Sequence, residues 1–517
     1  RSSDAGAYVL PLLQPGRYRI AITKDGFRPV SRIGINLMVD QVARADQQLE
    51  LGSLNQEIQV SAAAPLLETE TSAIGQVVDS AKIQSIPLNG RSSFRLVQLT
   101  PGLLASPAAN GQFGDIPVNT NQDSTFSING GRQLSNEILI DGVPSTTGQF
   151  NSITTIPSIE ATQEFKVQSS NLSAEWGRFG GGVVNVSTRS GTNQVHGALY
   201  EYLRNNVFDA NEFFNKTAGL SIPPFRLNQF GGAVGGPVKI GKLYDGKNRT
   251  FFFTDYQGTR YRRGDTTRFS LPTAAQRDGD FSRTFNQAGA LVTVYDPSST
   301  QPDPARAGQS IRTPFAGNRL PASRIDPIAR KLMAYYPEPN SAGEPFTGLN
   351  NYGKNASRGV DQNQISGRVD HTFNSAYRMF GRFAHNRTLL GQPDSYGNVA
   401  TSGNGSVGVS PFRQTTFALD HAVSLSPTSI FSLKYGVARW YQERKTRSYG
   451  FDQRTLGFSD ALVSQFQIPV FPAIGLDQYD GLGGQSFFTS GSDTHSFIGA
   501  WTKIRGCLLY TSPSPRD

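Results

Sequence analysis

Polar and apolar positions alternate most regularly in the latter part of the chain. Along Gln364-Ile-Ser-Gly-Arg-Val-Asp-His-Thr-Phe373, residues Ile365, Gly367, Val369, His371 and Phe373 fall on one side and Gln364, Ser366, Arg368, Asp370 and Thr372 on the other. A period of two marks a strand with two unlike faces. Asn374-Ser375-Ala376 makes a short turn into a strand that begins at Tyr377. A stretch rich in Gly, Ser and Asn follows it, including Gly403-Asn-Gly-Ser-Val-Gly408. The plan then repeats. Phe417-Ala-Leu-Asp-His-Ala-Val-Ser-Leu425 turns at Ser426-Pro427-Thr428 into Phe431-Ser-Leu-Lys-Tyr-Gly-Val437, where Phe431, Leu433, Tyr435 and Val437 oppose Ser432 and Lys434. Val195-His-Gly-Ala-Leu-Tyr-Glu-Tyr-Leu203 opens the series. Strands with one apolar and one polar face, joined by short turns on one side and long polar loops on the other, predict a membrane-spanning antiparallel β-barrel. A soluble β-sandwich accounts for the alternation but not for the loop asymmetry. Tyr377, Trp440 and Tyr441, near strand ends, are expected in the aromatic girdle at the membrane interface.

The first part of the chain reads differently. Residues 1–54 predict the short strands of a small β-sandwich: Ala7-Tyr8-Val9-Leu10-Pro11, then Arg17 to Ile22 with Tyr18, Ile20 and Ile22 on one face, then an alternating stretch over 39–51. Pro15-Gly16 and Asp25-Gly26 supply the turns. Residues 63–190 mix short helices and strands, with a helix over 80–86 that stops before Pro87 and a buried strand from Val183 to Val186. Gly180-Gly181-Gly182 predicts a close backbone approach where this region meets the strands that follow. A glycine run also suits phosphate, but no Gly-Lys-Ser/Thr follows it. The Pro-rich segment 259–360 reads as a long excursion beyond the membrane, with a helical turn over 330–335.

Several motifs carry a family resemblance. Asp4-Ala-Gly-Ala-Tyr8, Leu13-Gln-Pro-Gly-Arg-Tyr18 and Asp25-Gly-Phe27 resemble the carboxypeptidase regulatory-like domain, a carbohydrate-binding-like spacer that carries no peptidase residues. Ile86-Pro-Leu-Asn-Gly-Arg91, Leu96-Val-Gln-Leu-Thr-Pro-Gly102, Phe126-Ser-Ile-Asn-Gly-Gly-Arg132 and Ile138-Leu-Ile-Asp-Gly-Val-Pro144 resemble the plug of TonB-dependent receptors, especially the large Oar-like group. Ile159-Glu-Ala-Thr-Gln-Glu-Phe-Lys-Val167 and Glu175-Trp-Gly-Arg-Phe-Gly-Gly-Gly-Val-Val-Asn-Val186 continue that series in family order. Between the two modules, Gln56-Glu-Ile-Gln-Val-Ser-Ala62 looks like a TonB box, which makes Glu57, Ile58, Gln59, Val60 and Ser61 the candidate partner-binding residues. Ile58 and Val60 share one face, which suits addition to the edge of a partner sheet. The same pattern also suits the last strand of the sandwich.

The resemblance implies an outer-membrane receptor that takes up an unknown extracellular substrate with energy from the TonB–ExbB–ExbD complex. The plug and the N-terminal module then face the periplasm and the barrel contacts outer-membrane lipid. Asn129 to Arg132 and Asp141-Gly142 are implied to be plug-fold positions, not ligand contacts.

Composition removes other classes. The net charge is +9, but the basic residues are scattered (Arg260, Arg262, Arg263 and Arg268, then Arg368, Arg378 and Arg382), with no nucleic-acid-binding module and hence no expected nucleic-acid partner. No run approaches the roughly 18 apolar residues of a spanning helix. The one cysteine, Cys507, opens a tail, Cys507-Leu-Leu-Tyr-Thr-Ser-Pro-Ser-Pro-Arg-Asp517, that resembles a translated sequencing adapter and is set apart from the fold. The five histidines (His196, His371, His385, His421 and His495) form no zinc motif. The Asp370-His371 and Asp420-His421 neighbours point to opposite faces of their strands, so neither pair chelates one ion. With no nucleophile elbow either, no catalytic, cofactor or metal residue is expected, and the protein is not read as an enzyme.

The expected fold is mainly β: a regulatory-like β-sandwich at 1–54, a TonB box at 55–62, an α+β plug at 63–190, a partial transmembrane antiparallel barrel at 191–506 and an artefact tail at 507–517. About nine or ten candidate strands follow residue 190, against about 22 in a closed transporter barrel, so the barrel is expected to be incomplete. Arg1, without methionine or leader, leads to the expectation that the sequence starts mid-protein. The rival function is a cell-surface adhesin or carbohydrate-binding β-protein, which predicts sandwiches in place of a plug and a barrel wall.

Overall fold

A computed structural model of the chain describes residues 2–3, 6–10, 13, 15–39, 41–52, 58–61, 72–105, 125–149, 151–211, 213, 216, 221–484, 487–505 and 508–513. Near the N-terminus, β1 (Gly16–Ile22) runs antiparallel to β2 (Val30–Leu37), and β3 (Ile58–Ser61) joins β2 in parallel, Val30 opposite Ile58. Asp25-Gly26 forms the expected turn, Gly26 with φ 81°. Two expected strands do not form among the described residues: 7–10 are irregular, and 39 and 41–50 are irregular, with a single bridge between Phe27 and Leu51. β2 is paired on both sides, by β1 and β3, and the described residues of these two segments add no further strand to the sheet. Among the described residues the expected sandwich is therefore a single three-stranded sheet.

The next domain is built on β4 (Ile74–Val78), β5 (Leu103–Ala105), β6 (Phe126–Ile128), β7 (Glu137–Ile140), β8 (Val143–Pro144), β9 (Thr162–Ser170) and β10 (Val183–Thr188). Five of these form a mixed sheet in the order β4-β9-β10-β7-β8, and β5 pairs with β6 beside it. The expected helix spans Ser80–Ser85, and the Asp79 side chain caps it by accepting from the Lys82 N–H. Val78, Ile83, Ile140, Phe165 and Val184 are among the residues of a closed apolar core. β10 is buried along its whole length, as expected of a central strand. The glycine run does pack closely, but within this domain and not against the following strands. A Cβ on Gly181 would lie 2.3 Å from Asn136 Oδ1, and one on Gly182 2.6 Å from the Gln168 carbonyl.

The wall begins with β11 (His196–Asn205) and β12 (Phe225–Pro237), and a small ribbon of β13 (Lys239–Ile240) and β14 (Tyr244–Asp245) turns the chain into β15 (Thr250–Phe269). A long loop carrying β16 (Gln301–Pro302) and β17 (Ser310–Ile311) precedes β18 (Tyr352–Thr372). Then come β19 (Tyr377–Gly391), β20 (Ser410–Ser426) and β21 (Ser429–Arg444). After a loop that pairs β22 (Ile474–Leu476) with β23 (Tyr479–Leu482), β24 (Phe488–Arg505) and β25 (Leu508–Pro513) complete the described wall. The result is an open nine-stranded sheet, β11-β12-β15-β18-β19-β20-β21-β24-β25, antiparallel throughout and bounded by β11 and β25. β25 falls in the tail that the sequence reading set apart; its backbone pairs with β24 from Leu508 opposite Arg505 to Pro513 opposite Ala500.

The two faces of the wall differ as the alternation requires. Ile365 and Val369 are each 49% exposed on the outer face, while Gln364 and Arg368 on the other face keep 6% and 3%. The one misplaced girdle residue is Trp440, which is buried. It has the parity of Ala438 and Gln442, both buried, and so points inward, while Tyr441 points outward. The long loops lie at one end of the wall and the short turns at the other. Loops 270–351, 392–409 and 445–487 fold together over a shared core that includes Leu271, Leu332, Tyr336, Tyr396, Leu456 and Phe471. The predicted helical turn is the helix Pro327–Met333, started by Asp326, whose carboxylate accepts from the Ile328 N–H.

Candidate functional site

The concave, polar face of the wall meets the β4–β10 domain, which sits there as a plug. Cross-strand register sorts that face into rows. Nearest the short turns, Asp370, Phe380, Asp420 and Lys434 stand side by side. The next row is Arg368, Arg382, Ala418 and Gly436. Further towards the long loops runs a row of amides: Gln257, Gln364, Asn386 and Gln414.

The plug inserts the Asp141-Gly142 turn into the arginine row. Both turn residues have positive φ, 55° and 75°, the geometry of a tight hairpin turn for which Asp-Gly is suited. Asp141 Oδ1 lies 2.9 Å from Arg368 Nη1, and Oδ2 lies 3.0 Å from Arg382 Nε. Within the plug, Thr188 donates its N–H (2.9 Å) and its hydroxyl (2.8 Å) to the same carboxylate. On the wall, Arg368 also binds Asp370 at 2.9 Å, and Asp370 accepts from the Ser190 hydroxyl at 2.6 Å. Burial alone would raise the Asp141 carboxyl, but the Arg368 and Arg382 guanidiniums and the two Thr188 donors outweigh it and hold it below its usual range. A buried carboxylate with two cations and two hydrogen bonds is fully compensated; removing it leaves two guanidiniums facing each other out of water.

The rest of the seam is polar as well. Gln364 donates to the Ile156 carbonyl at 2.7 Å and Gln229 to the Gly90 carbonyl at 3.1 Å. Ser158 donates to Asp255 at 2.8 Å, and the Thr155 and Thr416 hydroxyls lie 3.3 Å apart. Arg91 of the plug binds Glu160 at 2.5 Å, and its guanidinium lies over the Tyr200 and Tyr202 rings of β11, at 4.5 and 4.1 Å. Among the described residues, a small apolar cluster of Val143, Phe380 and Ala418 also crosses the seam. Gly436 lies beside it: a Cβ there would come 1.9 Å from Val143 Cγ1. A seam of this kind exchanges its hydrogen bonds for water at modest net cost, whereas the apolar core inside the plug does not.

The sequence-derived candidates lie elsewhere. Glu57 is outside the described residues, and 58–61 form β3, at the edge of the N-terminal sheet. Asn129 and Asp141 hold turns, as expected of plug-fold positions, Asn129 by donating to the Ser169 carbonyl at 2.8 Å. Asp141 is in addition the plug's ionic contact with the wall. Sequence reasoning placed Arg368 on the wet face but missed its partner. Nothing local in the sequence ties it to a carboxylate 227 residues away. The Asp-His neighbours diverge as expected: Asp370 and Asp420 point inward, while His371 lies 2.6 Å from Thr250 Oγ1 and His421 lies 2.8 Å from the Tyr377 hydroxyl.

The wall matches a known family. Residues 187–507 match the family model described as an outer membrane beta barrel domain. Over 267 residues the chain is 28% identical to the TonB-dependent transporter Oar of Myxococcus xanthus, covering 49% of this chain and 24% of that protein. Among solved structures, the siderophore receptor PirA from Acinetobacter baumannii is similar at a TM-score of 0.45 and 14% identity, covering 86% of this chain and 47% of that one. A ferric enterobactin receptor from Pseudomonas aeruginosa gives 0.44 and 13%, covering 86% and 48%. The chain thus spans about a quarter of the length of its transporter relative and about half that of these receptors. With a matched segment that coincides with the two-faced wall, this chain belongs to the outer membrane beta barrel family and to the bacterial outer membrane.

Proposed function

We propose that the chain acts in a TonB-dependent receptor that binds a substrate outside the cell and passes it into the periplasm. The observation that carries this reading is a plug docked on a polar wall through a seam of hydrogen bonds and one buried ionic cluster centred on Asp141. Such a contact keeps the lumen filled at rest and separates without exposing an apolar core. Long loops at one end and short turns at the other orient the wall, with the loops outward and the plug exit and N-terminal sheet towards the periplasm. Substrate meets the loops first. The energy-coupling contact is the segment Glu57, Ile58, Gln59, Val60 and Ser61, where β3 is an edge strand with one side open among the described residues. An open strand edge is what strand addition by a TonB-type partner requires. The relative's description as a TonB-dependent transporter points the same way. The adhesin reading requires facing sheets around a dry centre after residue 190, and the inner face of the wall is instead lined with Gln, Arg and Asp.

The test is disulfide trapping in cells that make the protein together with TonB carrying single cysteines in its periplasmic domain. Gln59→Cys is expected to give an adduct whose yield rises when substrate-containing medium is supplied. Equal adducts from a control cysteine at Gln48, or none from any position in 57–61, would overturn the coupling assignment.

A further inference from the structure

On β19 the outer face carries a run free of Arg, Lys, Asp and Glu that ends at Arg387. Between Tyr377 and Arg387 on β19, the outward side chains are Met379, Gly381, Phe383 and His385. Those ten positions span about 25 Å along the membrane normal, at about 3.3 Å per residue and a strand tilt of about 40°, which is the height of the apolar band of a barrel of this class. At the lower boundary Phe373 stacks on Tyr377 with ring centroids 4.5 Å apart. At the upper one, Arg387 stands directly opposite Arg413, and Arg413 opposite Tyr441.

These two arginines are unusual among their neighbours. Arg262 pairs with Asp361 at 2.9 Å and Arg439 with Asp493 at 2.6 Å. Arg387 and Arg413 are both exposed, and among the described residues no carboxylate pairs with either. Like charges directly opposed on adjacent strands repel and cost stability. A dianion between them reverses the sign, because each guanidinium offers a planar fork of donors that matches phosphate. The Tyr441 ring, 6.0 Å from the Arg413 guanidinium, bounds the seat on its far side. At this height on the lipid-facing surface, the anion that sits beside the protein belongs to a lipid headgroup.

We propose that Arg387 and Arg413 together bind a phosphate on the headgroup of an outer-leaflet glycolipid, with its acyl chains lying along the Phe383 and Phe417 face below. The full chain, purified in detergent, is titrated with bisphosphorylated lipid A and binding is followed by native mass spectrometry. Each arginine near a charged lipid surface contributes about fivefold, so Arg387→Gln with Arg413→Gln is expected to weaken binding about thirtyfold and each single change about fivefold. Arg387→Lys with Arg413→Lys is expected to retain most of the binding, Arg226→Gln all of it, and dephosphorylated lipid A to bind the unaltered protein as poorly as the double variant binds the phosphorylated form. Equal binding by the unaltered protein and the double glutamine variant overturns the proposal. So does equal competition by inorganic phosphate, which would make the seat a site for free anions. Should the double variant fail to fold, as judged by heat-modifiable gel mobility, the single variants decide by the same criterion.

Discussion

Asp141 of the plug and Arg368 of the wall lie 2.9 Å apart with 3% and 2% of their side chains exposed, and Arg382 closes on the other oxygen of the same carboxylate. One plug carboxylate therefore bridges two wall cations, with Asp370 supplying the second negative charge from the wall itself.

Asp141→Asn keeps the shape of the turn and an oxygen for the Thr188 N–H, but leaves two buried guanidiniums with only the wall's own acids, Asp370 and the more distant Asp420. The expected loss is about 3–5 kcal/mol, the usual cost of orphaning a buried charge. Hydrogen exchange should show it as faster exchange of plug amides in β7–β10, with the wall amides of β18 to β20 unchanged. An unchanged plug would mean that the ionic cluster does not hold it.

Acid and base should act on the plug in opposite ways. The Asp141 carboxyl is held below its ordinary 3.8, so its contribution is present above that value and is lost only as pH falls through the lower folded-state value. Glu164, on β9, is pushed up to about 7, chiefly by burial and further by Asp79, against the opposing effect of the Val39 N–H that it accepts from. Its contribution is complete below the ordinary 4.5 and fades as pH rises through about 7. Thermal unfolding followed from pH 4 to 8 should show stability falling across that upper window, and Glu164→Gln should flatten the decline. A decline of the same size in the glutamine variant would assign it to another group.

The Thr155 and Thr416 hydroxyls, 3.3 Å apart across the seam, provide a direct handle on plug movement. Cysteines at both positions should form a disulfide on mild oxidation, visible as a faster-migrating band, and should slow exchange in the plug until reductant is added. Failure to cross-link with both residues accessible to a thiol reagent would show that the plug does not rest where the seam places it.

Phe471→Ala tests the loop layer in the same spirit. Phe471 is fully buried, 4.7 Å from the Tyr335 ring and 5.2 Å from that of Phe451. Emptying that position should cost the layer about 3–5 kcal/mol and make loops 270–351 and 445–487 sensitive to protease. The wall should stay folded. Cleavage unchanged from the parent protein would argue against a shared core.

Much of the wall was legible in the sequence because strand parity is a local property. Ile365 and Gln364 declare their faces without reference to any partner, and Trp440 was misplaced only because its position near a strand end outweighed its parity with Ala438. The seam was less legible. Asp141 and Arg368 each have a sound local role, a turn residue and a wet-face residue, and only the folded arrangement brings them together. The glycine run announced close packing but not what it packs against, since Gly181 answers to Asn136 and not to the wall. The segment 39–51 alternates as a strand should, yet among the described residues its one bridge joins Leu51 to Phe27, because alternation marks two faces but supplies no pairing partner.

The loops at the long-loop end of the wall are tied into one layer. Three excursions from different strand pairs contribute to one core, and they are also cross-tied, the Tyr336 hydroxyl donating to the Asp480 carbonyl at 2.9 Å and the Asn398 amide to the Tyr335 carbonyl at 2.9 Å. No single excursion can swing away and leave the others in place, because each would strip apolar surface from its neighbours. Displacing any one of these three loops therefore requires breaking the shared core, so the layer is expected to open as one unit and not as three independent tips.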